Sequence, residues 1–216
     1  MVYATPLIVL SSTKVGEGSL VLSTLTPAWG RRSFITSVGK KGGTAMFQPL
    51  SILETEVVDN PKSDLWRLRS PYAAEPLGGI RSDIRKNTMT LFMSEVLLRT
   101  LRDGSREEGL FEWCRRSILT LDALQADFSN YHLRFLLELA GALGFSPTLE
   151  DLAPFAGEQL AVLRRLLEAD AASSLLIPMN GAQRNAVATL LLDYIGYHTD
   201  TRLNVRSLQV LRELYQ

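Results

Sequence analysis

A short stretch from Gly30 to Gly43 gathers four positive charges around one strand-like run. It reads GRRSFITSVGKKGG, in which Arg31 and Arg32 precede a β-like segment, Lys40 and Lys41 follow it, and no acidic residue intervenes. Clustered cations neutralise the phosphates of a nucleic-acid backbone, whereas cations at strand ends also protect sheet edges from aggregation. The pattern therefore leaves two hypotheses open, a nucleic-acid surface and a solvated strand edge.

A second cationic run, DLWRLRS, places Arg67 and Arg69 in alternation with Trp66 and Leu68. Alternate residues of a strand share one face, so these arginines would form a row of cations roughly 6.6 Å apart, close to the phosphate spacing along a nucleic-acid strand. The hypothesis of nucleic-acid binding therefore rests on seven residues: Lys14, Arg31, Arg32, Lys40, Lys41, Arg67 and Arg69.

Aromatic residues interleave these cations. Trp29, Phe34 and Trp66 have the ring faces on which bases stack. Strand alternation predicts that Phe34 points inward with Thr36 and Val38, and it favours a core position for Phe34 and Trp66.

Residues for covalent or acid–base catalysis are sparse. The G-x-S-x-G, P-loop and H-E-x-x-H patterns are absent, and one cysteine with two histidines makes a zinc site improbable. A structural role is favoured for His132 and His198, and a buried thiol for Cys114. We therefore predict no catalytic residue, no metal and no cofactor; the alternative is an enzyme built around Tyr197, His198 and Asp200.

Composition indicates a globular protein with an uneven charge distribution. The 216 residues include 46% hydrophobic residues and equal numbers of cations and anions, 23 of each. Residues 1–50 carry a net charge of +4, whereas residues 81–216 carry −2. With one cysteine, no signal-like N-terminus and no apolar run long enough for a membrane span, the sequence predicts a cytoplasmic protein with a polyanionic partner near its N-terminus.

Before about residue 70 the sequence shows five β-like runs separated by turns that contain Gly and Pro. They are LIVLSSTK, SLVLSTLT, RSFITSV, TAMFQPLSILETEVV and LWRLR. Five such strands in about 75 residues predict a small antiparallel barrel or sandwich. The number matches an OB-fold, and SH3-like barrels have a similar count.

After SPYAAEPLGG the residues Leu, Ala, Arg and Glu dominate, which predicts an irregular helical bundle. In NTMTLFMSEVLLRTLRDG, Asn87 or Thr88 is the expected N-cap and Gly104 the expected end. Ser105 and Glu108 have the spacing of a capping box for the next helix. Further helices are predicted in SNYHLRFLLELAGALG, GEQLAVLRRLLEAD, NGAQRNAVATLLLDYIGYH and NVRSLQVLRELY.

The order of several motifs resembles that of the bacterial RecO recombination mediator family over essentially the whole chain. These motifs are IVLSSTKVGEGSLVLSTLTPAWGRRSFITSVGKK, MFQPLSILE, SNYHLRFLLELAGALGFSPTLEDL and LLLDYIGYHTDTRLNVRSLQVLREL. In that family an N-terminal OB-fold precedes a helical domain. The predicted fold class is therefore α+β with two domains, an OB-fold β-barrel over residues 1–78 and an α-helical domain over residues 79–216.

The resemblance implies a non-enzymatic DNA-repair protein that binds single- and double-stranded DNA and anneals complementary strands. It also implies two protein partners, RecR and the acidic tail of single-strand-binding protein, with which the family helps to load RecA onto coated DNA. Many members carry a four-cysteine zinc ribbon, whereas residues 153–178 of this chain contain no cysteine. The sequence therefore resembles a zinc-free branch.

The acidic tail ends in aspartates and an apolar Pro-Phe pair, so its receptor needs an apolar slot with a cation at its mouth. The candidates on the helices are Arg115, Arg116, Arg134, Arg184 and Arg206. Such arginines are also typical of solvated helix surfaces. A further alternative is a helical adaptor protein in which the basic barrel is incidental.

Overall fold

The computed structural model describes residues 1–38 and 44–214, which form an N-terminal barrel followed by helices. The strands are β1 (Val2–Val15), β2 (Ser19–Thr26), β3 (Gly30–Ser37), β4 (Ile52–Val58) and β5 (Trp66–Ala73). They close in the order β1-β2-β3-β5-β4, with β4 paired back onto β1. The β3–β5 pair is parallel and the other pairs are antiparallel. This closed five-stranded barrel confirms the predicted OB-like fold.

Strand β1 is buried on both of its faces, which explains its unbroken apolar run LIVL. Leu7 and Val9 point into the barrel core, whereas Ile8 and Leu10 belong to the core formed with the helices. Because side chains alternate along a strand, one apolar run contributes to two cores. The barrel and the helices therefore pack through a shared apolar interface.

The predicted strand TAMFQPLSILETEVV is shorter than expected. Residues Thr44–Phe47 form a 3₁₀ helix, and β4 begins only at Ile52. Pro49 cannot donate a backbone hydrogen bond, and Leu50 has a φ of 60°, so the chain turns here before it can extend.

The helices are α1 (Gly78–Ser82), α2 (Ile84–Thr100), α3 (Leu110–Ala123), α4 (Tyr131–Ala142), α5 (Leu149–Ala156), α6 (Leu160–Glu168), α7 (Ala171–Leu175), α8 (Gly181–His198) and α9 (Ser207–Leu214). A 3₁₀ turn at Gly157–Gln159 joins α5 to α6. Their apolar faces surround a core that includes Phe92, Phe135 and Leu191. The predicted helical domain is confirmed.

The predicted start of α2 is wrong. The helix begins one turn earlier than Asn87 or Thr88, because the carboxylate of Asp83 accepts a hydrogen bond from the backbone N–H of Arg85 and caps it. Its end also precedes Gly104, since Leu101 is already extended.

The predicted capping box of α3 is also wrong. The hydroxyl of Ser105 donates to the carboxylate of Glu107 instead, at 3.0 Å. Gly109, with a φ of 75°, redirects the chain immediately before the helix starts at Leu110. A residue in this left-handed conformation cannot continue a helix, so Glu108 stays outside α3.

Candidate nucleic-acid interface

Three aromatic rings from separate elements form a cluster at one end of the barrel. Trp29 lies in the turn between β2 and β3, Tyr3 in β1, and Trp66 at the start of β5. The ring centroid of Trp29 is 5.7 Å from that of Tyr3 and 5.4 Å from that of Trp66, both in edge-to-face geometry. Tyr3 is exposed and both tryptophans are half-buried, so ring surface remains open to solvent.

The guanidinium of Arg32 stacks on this cluster. Its central carbon lies 3.6 Å from the ring centroid of Trp66, which is cation–π contact distance. Apart from a long hydrogen bond to the carbonyl of Asp64 at 3.4 Å, the guanidinium has no hydrogen-bond or ion-pair partner in residues 1–38 and 44–214. Its charge is therefore not neutralised by a neighbouring acid and stays available to an anion.

Three other predicted cations are exposed on the barrel and make no ion pair with any residue that the structure describes. Arg67 and Arg69 lie on the outer face of β5, on either side of the buried Leu68. Arg69 stands opposite Glu56 of β4 in the strand register. Lys14 lies near the far end of β1, opposite Leu20 of β2. Arg67 and Arg69 therefore form a cationic row on the outer face of β5, the strand that begins with the Trp66 of the Arg32 stack.

Arg31 has different surroundings from Arg32. Its Nη1 donates to the carbonyls of Leu98 and Leu101 at 2.9 and 2.6 Å, and its Nε lies 3.1 Å from a carboxylate oxygen of Asp103. It thus caps the C-terminus of α2, where unpaired carbonyls favour a cation. The geometry favours a role for Arg31 in joining the barrel to the helices.

The two remaining predicted cations, Lys40 and Lys41, lie outside the described residues. Tyr3 belongs to the candidate site and was missed by the sequence analysis, as was Lys62 in the loop that also contains Asp64, a hydrogen-bond partner of Arg32. Tyr3 was missed because its partners lie far along the chain. Lys62, which is exposed in the loop between β4 and β5, could have been found from the DNPKSD turn, since this loop borders the binding face of OB barrels.

A second candidate site lies between α3, α4 and α7. It is an apolar pocket of about 790 Å³ that includes the rings of Trp113 and Phe135, stacked with centroids 5.3 Å apart. Two of the five predicted partner-binding arginines, Arg116 and Arg134, line it together. Arg134 pairs with Glu138 at 2.6 Å, and Arg116 is exposed and has no ion pair among the described residues.

The other three predicted partner-binding arginines lie elsewhere. Arg115 forms an ion pair with Glu75 at 2.7 Å. Arg184 donates to the side-chain oxygen of Asn130 at 3.0 Å. Arg206 precedes α9, where its backbone N–H donates to Glu95.

The residues considered for catalysis do not form one site: the rings of Tyr197 and His198 are in contact, with centroids 5.3 Å apart, whereas His132 and Cys114 are buried elsewhere. His132 is buried, and its burial lowers its pKa from 6.5 to about 3, so the ring is neutral. Burial raises the pKa of the Cys114 thiol to about 12, which leaves it protonated and unreactive. The imidazole of His198 stacks on Phe145 with centroids 4.8 Å apart, and no hydrogen bond joins it to Asp200 in the described part of the chain.

Within residues 1–38 and 44–214, His, Cys, Asp and Glu form no group of three or more that could hold a metal ion. In the same residues no helix has the length and apolar character that a membrane span needs.

A closed OB-type barrel with exposed cations and with an arginine stacked on half-exposed aromatic rings has the architecture of proteins that bind oligonucleotides. Comparison with known proteins narrows this class. The family profile "Recombination protein O C terminal" matches residues 81–153. The chain is also similar to proteins named DNA repair protein RecO from Bacteroides fragilis and Phocaeicola vulgatus, each 29% identical over the whole of both chains. The RecO protein of Flavobacterium psychrophilum is 27% identical over 98% of both chains. These matches confirm the resemblance of the chain to the RecO family of DNA repair proteins.

Proposed function

We propose that this protein binds single- and double-stranded DNA through the barrel and anneals complementary strands without a catalytic step. The observation that carries the proposal is the stack of Arg32 on Trp66, beside Trp29 and Tyr3. The exposed Arg67 and Arg69 add cations to the same barrel. Aromatic faces stack on bases of any sequence, and arginines neutralise phosphates. The relatives named DNA repair protein RecO support a role in repair.

Annealing requires two polyanions to approach each other. Barrel cations lower the repulsion between the strands, and the counterions that they displace provide a favourable entropy. Because no bond is made or broken, this activity needs neither a nucleophile nor a metal. We further propose that the protein acts at the bacterial nucleoid, where with RecR it helps to load RecA onto DNA coated by single-strand-binding protein.

The first test measures annealing of two labelled complementary oligonucleotides across a salt titration, without nucleotide or metal. The protein should accelerate annealing at low salt and lose this effect as salt rises. The double variant Arg67→Ala/Arg69→Ala should bind single strands more weakly at all sequences. Its slope of log affinity against log salt should fall by about 1.4, since each phosphate contact contributes about 0.7.

The matched control is Arg164→Ala/Arg165→Ala, which removes two exposed adjacent arginines from α6. It should retain the wild-type slope. Equal losses in both double variants would contradict a barrel-specific surface, and no annealing by the wild type at low salt would favour the adaptor function instead. Arg31 is unsuitable for this test because its replacement would also disturb the end of α2.

We also propose that the pocket between α3 and α4 receives the acidic tail of single-strand-binding protein. Trp113 and Phe135 offer an apolar slot for a terminal phenylalanine, and Arg116 offers a cation at its edge. Glu108 and Glu138 also line the pocket, and the pairing of Glu138 with Arg134 reduces its repulsion of an acidic peptide.

A labelled peptide that ends in aspartates followed by Pro-Phe tests this proposal by fluorescence anisotropy. We expect a dissociation constant of about 10 µM. Arg116→Ala should weaken the affinity roughly fivefold or more. The control Arg115→Ala removes the neighbouring arginine, which is paired with Glu75 outside the pocket. A peptide without its terminal Phe should not bind, and equal effects of the two arginine variants would reject this pocket.

A further inference from the structure

A large apolar groove on the helical domain is used by neither of the proposed sites. It lies between α5, α8 and α9 and has a volume of about 880 Å³. Its floor includes Leu152 and Leu190, and its edges carry Phe155 and Tyr197. These two aromatic side chains are 78% and 83% exposed. Large aromatic rings that project into solvent beside an apolar groove are typical of protein-binding surfaces.

Two carboxylates, those of Asp151 and Asp193, are among the residues that line this groove, against one arginine, Arg212. The segment that includes α5, residues 148–160, contains no Lys or Arg. Hydrogen bonds from the hydroxyl and backbone N–H of Thr148, at 2.7 and 2.8 Å, lower the pKa of Asp151 and keep it ionised.

Arg212 is the one Lys or Arg among the described residues that line the groove. Arg212 reaches it from α9 and donates to the hydroxyl of Thr189 at 3.0 Å. His198 also lines it, and its ring packs against Phe145. Asp193 has no hydrogen bond or ion pair within residues 1–38 and 44–214, so its carboxylate is free to meet a cation.

We propose that this groove binds an amphipathic, positively charged segment of a partner protein. An apolar side chain of the segment packs between Phe155 and Tyr197, and its Lys or Arg residues meet Asp151 and Asp193. The carboxylates of Asp151 and Asp193 repel DNA and an acidic peptide. The groove therefore selects a partner opposite in charge to the acidic tail that we propose for the pocket between α3 and α4. The helical domain thereby gains a second docking surface that does not compete with the other two ligands.

The test uses two labelled peptides of equal length that form amphipathic helices with leucines on one face. One carries Lys and Arg on its polar face and the other carries Glu and Asp. By anisotropy, the basic peptide should bind with a dissociation constant on the order of 10–100 µM, and the acidic one at least about tenfold more weakly. Phe155→Gln should weaken the basic peptide roughly fivefold or more, and Asp193→Asn should reduce the salt dependence of its binding.

Matched controls exist on the same domain. Leu176→Gln replaces another exposed apolar side chain, 64% exposed on the chain just after α7, and Glu168→Gln removes another exposed carboxylate. Both should leave peptide binding unchanged. The Phe155→Gln variant should bind DNA as tightly as the wild type. This result would distinguish a loss of peptide binding at the groove from a loss of DNA binding at the barrel.

Several results would overturn the proposal. They are equal affinity for both peptides, no binding of either, or the same effect from Leu176→Gln as from Phe155→Gln. If instead Phe155→Gln abolishes self-association of the protein alone in sedimentation experiments, the groove contacts a second copy and the proposed partner is wrong.

Discussion

Arg31 and Arg32 are neighbours in the sequence and contact different parts of the molecule. Strand alternation sends Arg32 toward the Trp66 ring, whereas Arg31 points away from the barrel and meets the end of α2. The carbonyl partners of Arg31 lie 67 and 70 residues further along the chain. A sequence pattern can show that two cations are adjacent, but it cannot show that a distant helix end neutralises one of them.

His132 should make the stability of the protein depend on pH in a defined window. Its ring is buried against Phe92, and burial lowers its pKa from 6.5 to about 3, with a smaller contribution from Arg184. In the unfolded chain the ring binds a proton below about pH 6.5, whereas in the folded protein it stays neutral. The free energy of unfolding therefore falls as pH drops below about 6.5, by up to about 1.4 kcal/mol per pH unit.

Urea unfolding of wild type and His132→Gln between pH 7 and pH 5 measures this effect, in a window above the titration of the carboxylates. The variant is expected to be less stable at pH 7 and to show a flatter dependence on pH. His198→Gln, which replaces the exposed histidine, should keep the wild-type dependence. A steep dependence that survives in His132→Gln would assign the proton uptake to another group.

At the scale of elements, periodicity in the sequence predicted the strands and long helices better than their ends. The β-like runs and the helical spacings were sufficient to predict the type of these elements, because burial of one face dominates the choice of secondary structure. The start of α3 was wrong because Gly109 adopts a left-handed conformation that a Ser-x-x-Glu spacing does not reveal. Helix α5 was missed although Thr148 and Asp151 form a capping box that the sequence displays.

The candidate site was predicted in its residue types and only partly in its arrangement. Exposed cations on β5 follow from strand alternation, and so does the inward position of Phe34. The aromatic cluster does not, because Tyr3, Trp29 and Trp66 come from the start of one strand, a turn and the start of another strand. Barrel closure brings them together, and closure depends on pairing between strands that are distant in sequence.

At the scale of the whole molecule, the barrel and the helices share a core. Ile8, Leu25 and Ile52 of the barrel belong to the same buried cluster as the helical residues. The chain also approaches itself closely at Gly30, where a Cβ atom would lie 1.8 Å from the backbone oxygen of Ser105. The backbone N–H of Gly104 donates to the carbonyl of Arg31 at 2.8 Å beside this contact. Such an interface predicts that the two parts unfold together.

Replacement of Gly30 should break this coupling. Gly30→Ala places a Cβ against the Ser105 backbone and imposes a φ of 59° on a residue with a side chain. We expect the free energy of unfolding to fall by about 2 kcal/mol or more, which corresponds to a fall in Tm of roughly 5 °C. In a Trp113→Phe background, fluorescence reports on Trp29 and Trp66 in the barrel, while circular dichroism reports mainly on the helices.

Fluorescence and circular dichroism should give the same unfolding midpoint in the parent protein. In the Gly30→Ala variant the two midpoints should differ, because the barrel unfolds first. The barrel is the less stable part because separation from the helices exposes its Ile8 and Leu10 to solvent. The helices keep most of their own buried core. Gly18→Ala is the control, since its nearest contact is the Val38 carbonyl at 3.8 Å and its Cβ meets no clash. Separate midpoints in the parent protein, or unchanged midpoints in Gly30→Ala, would show that the shared core does not couple barrel and helices.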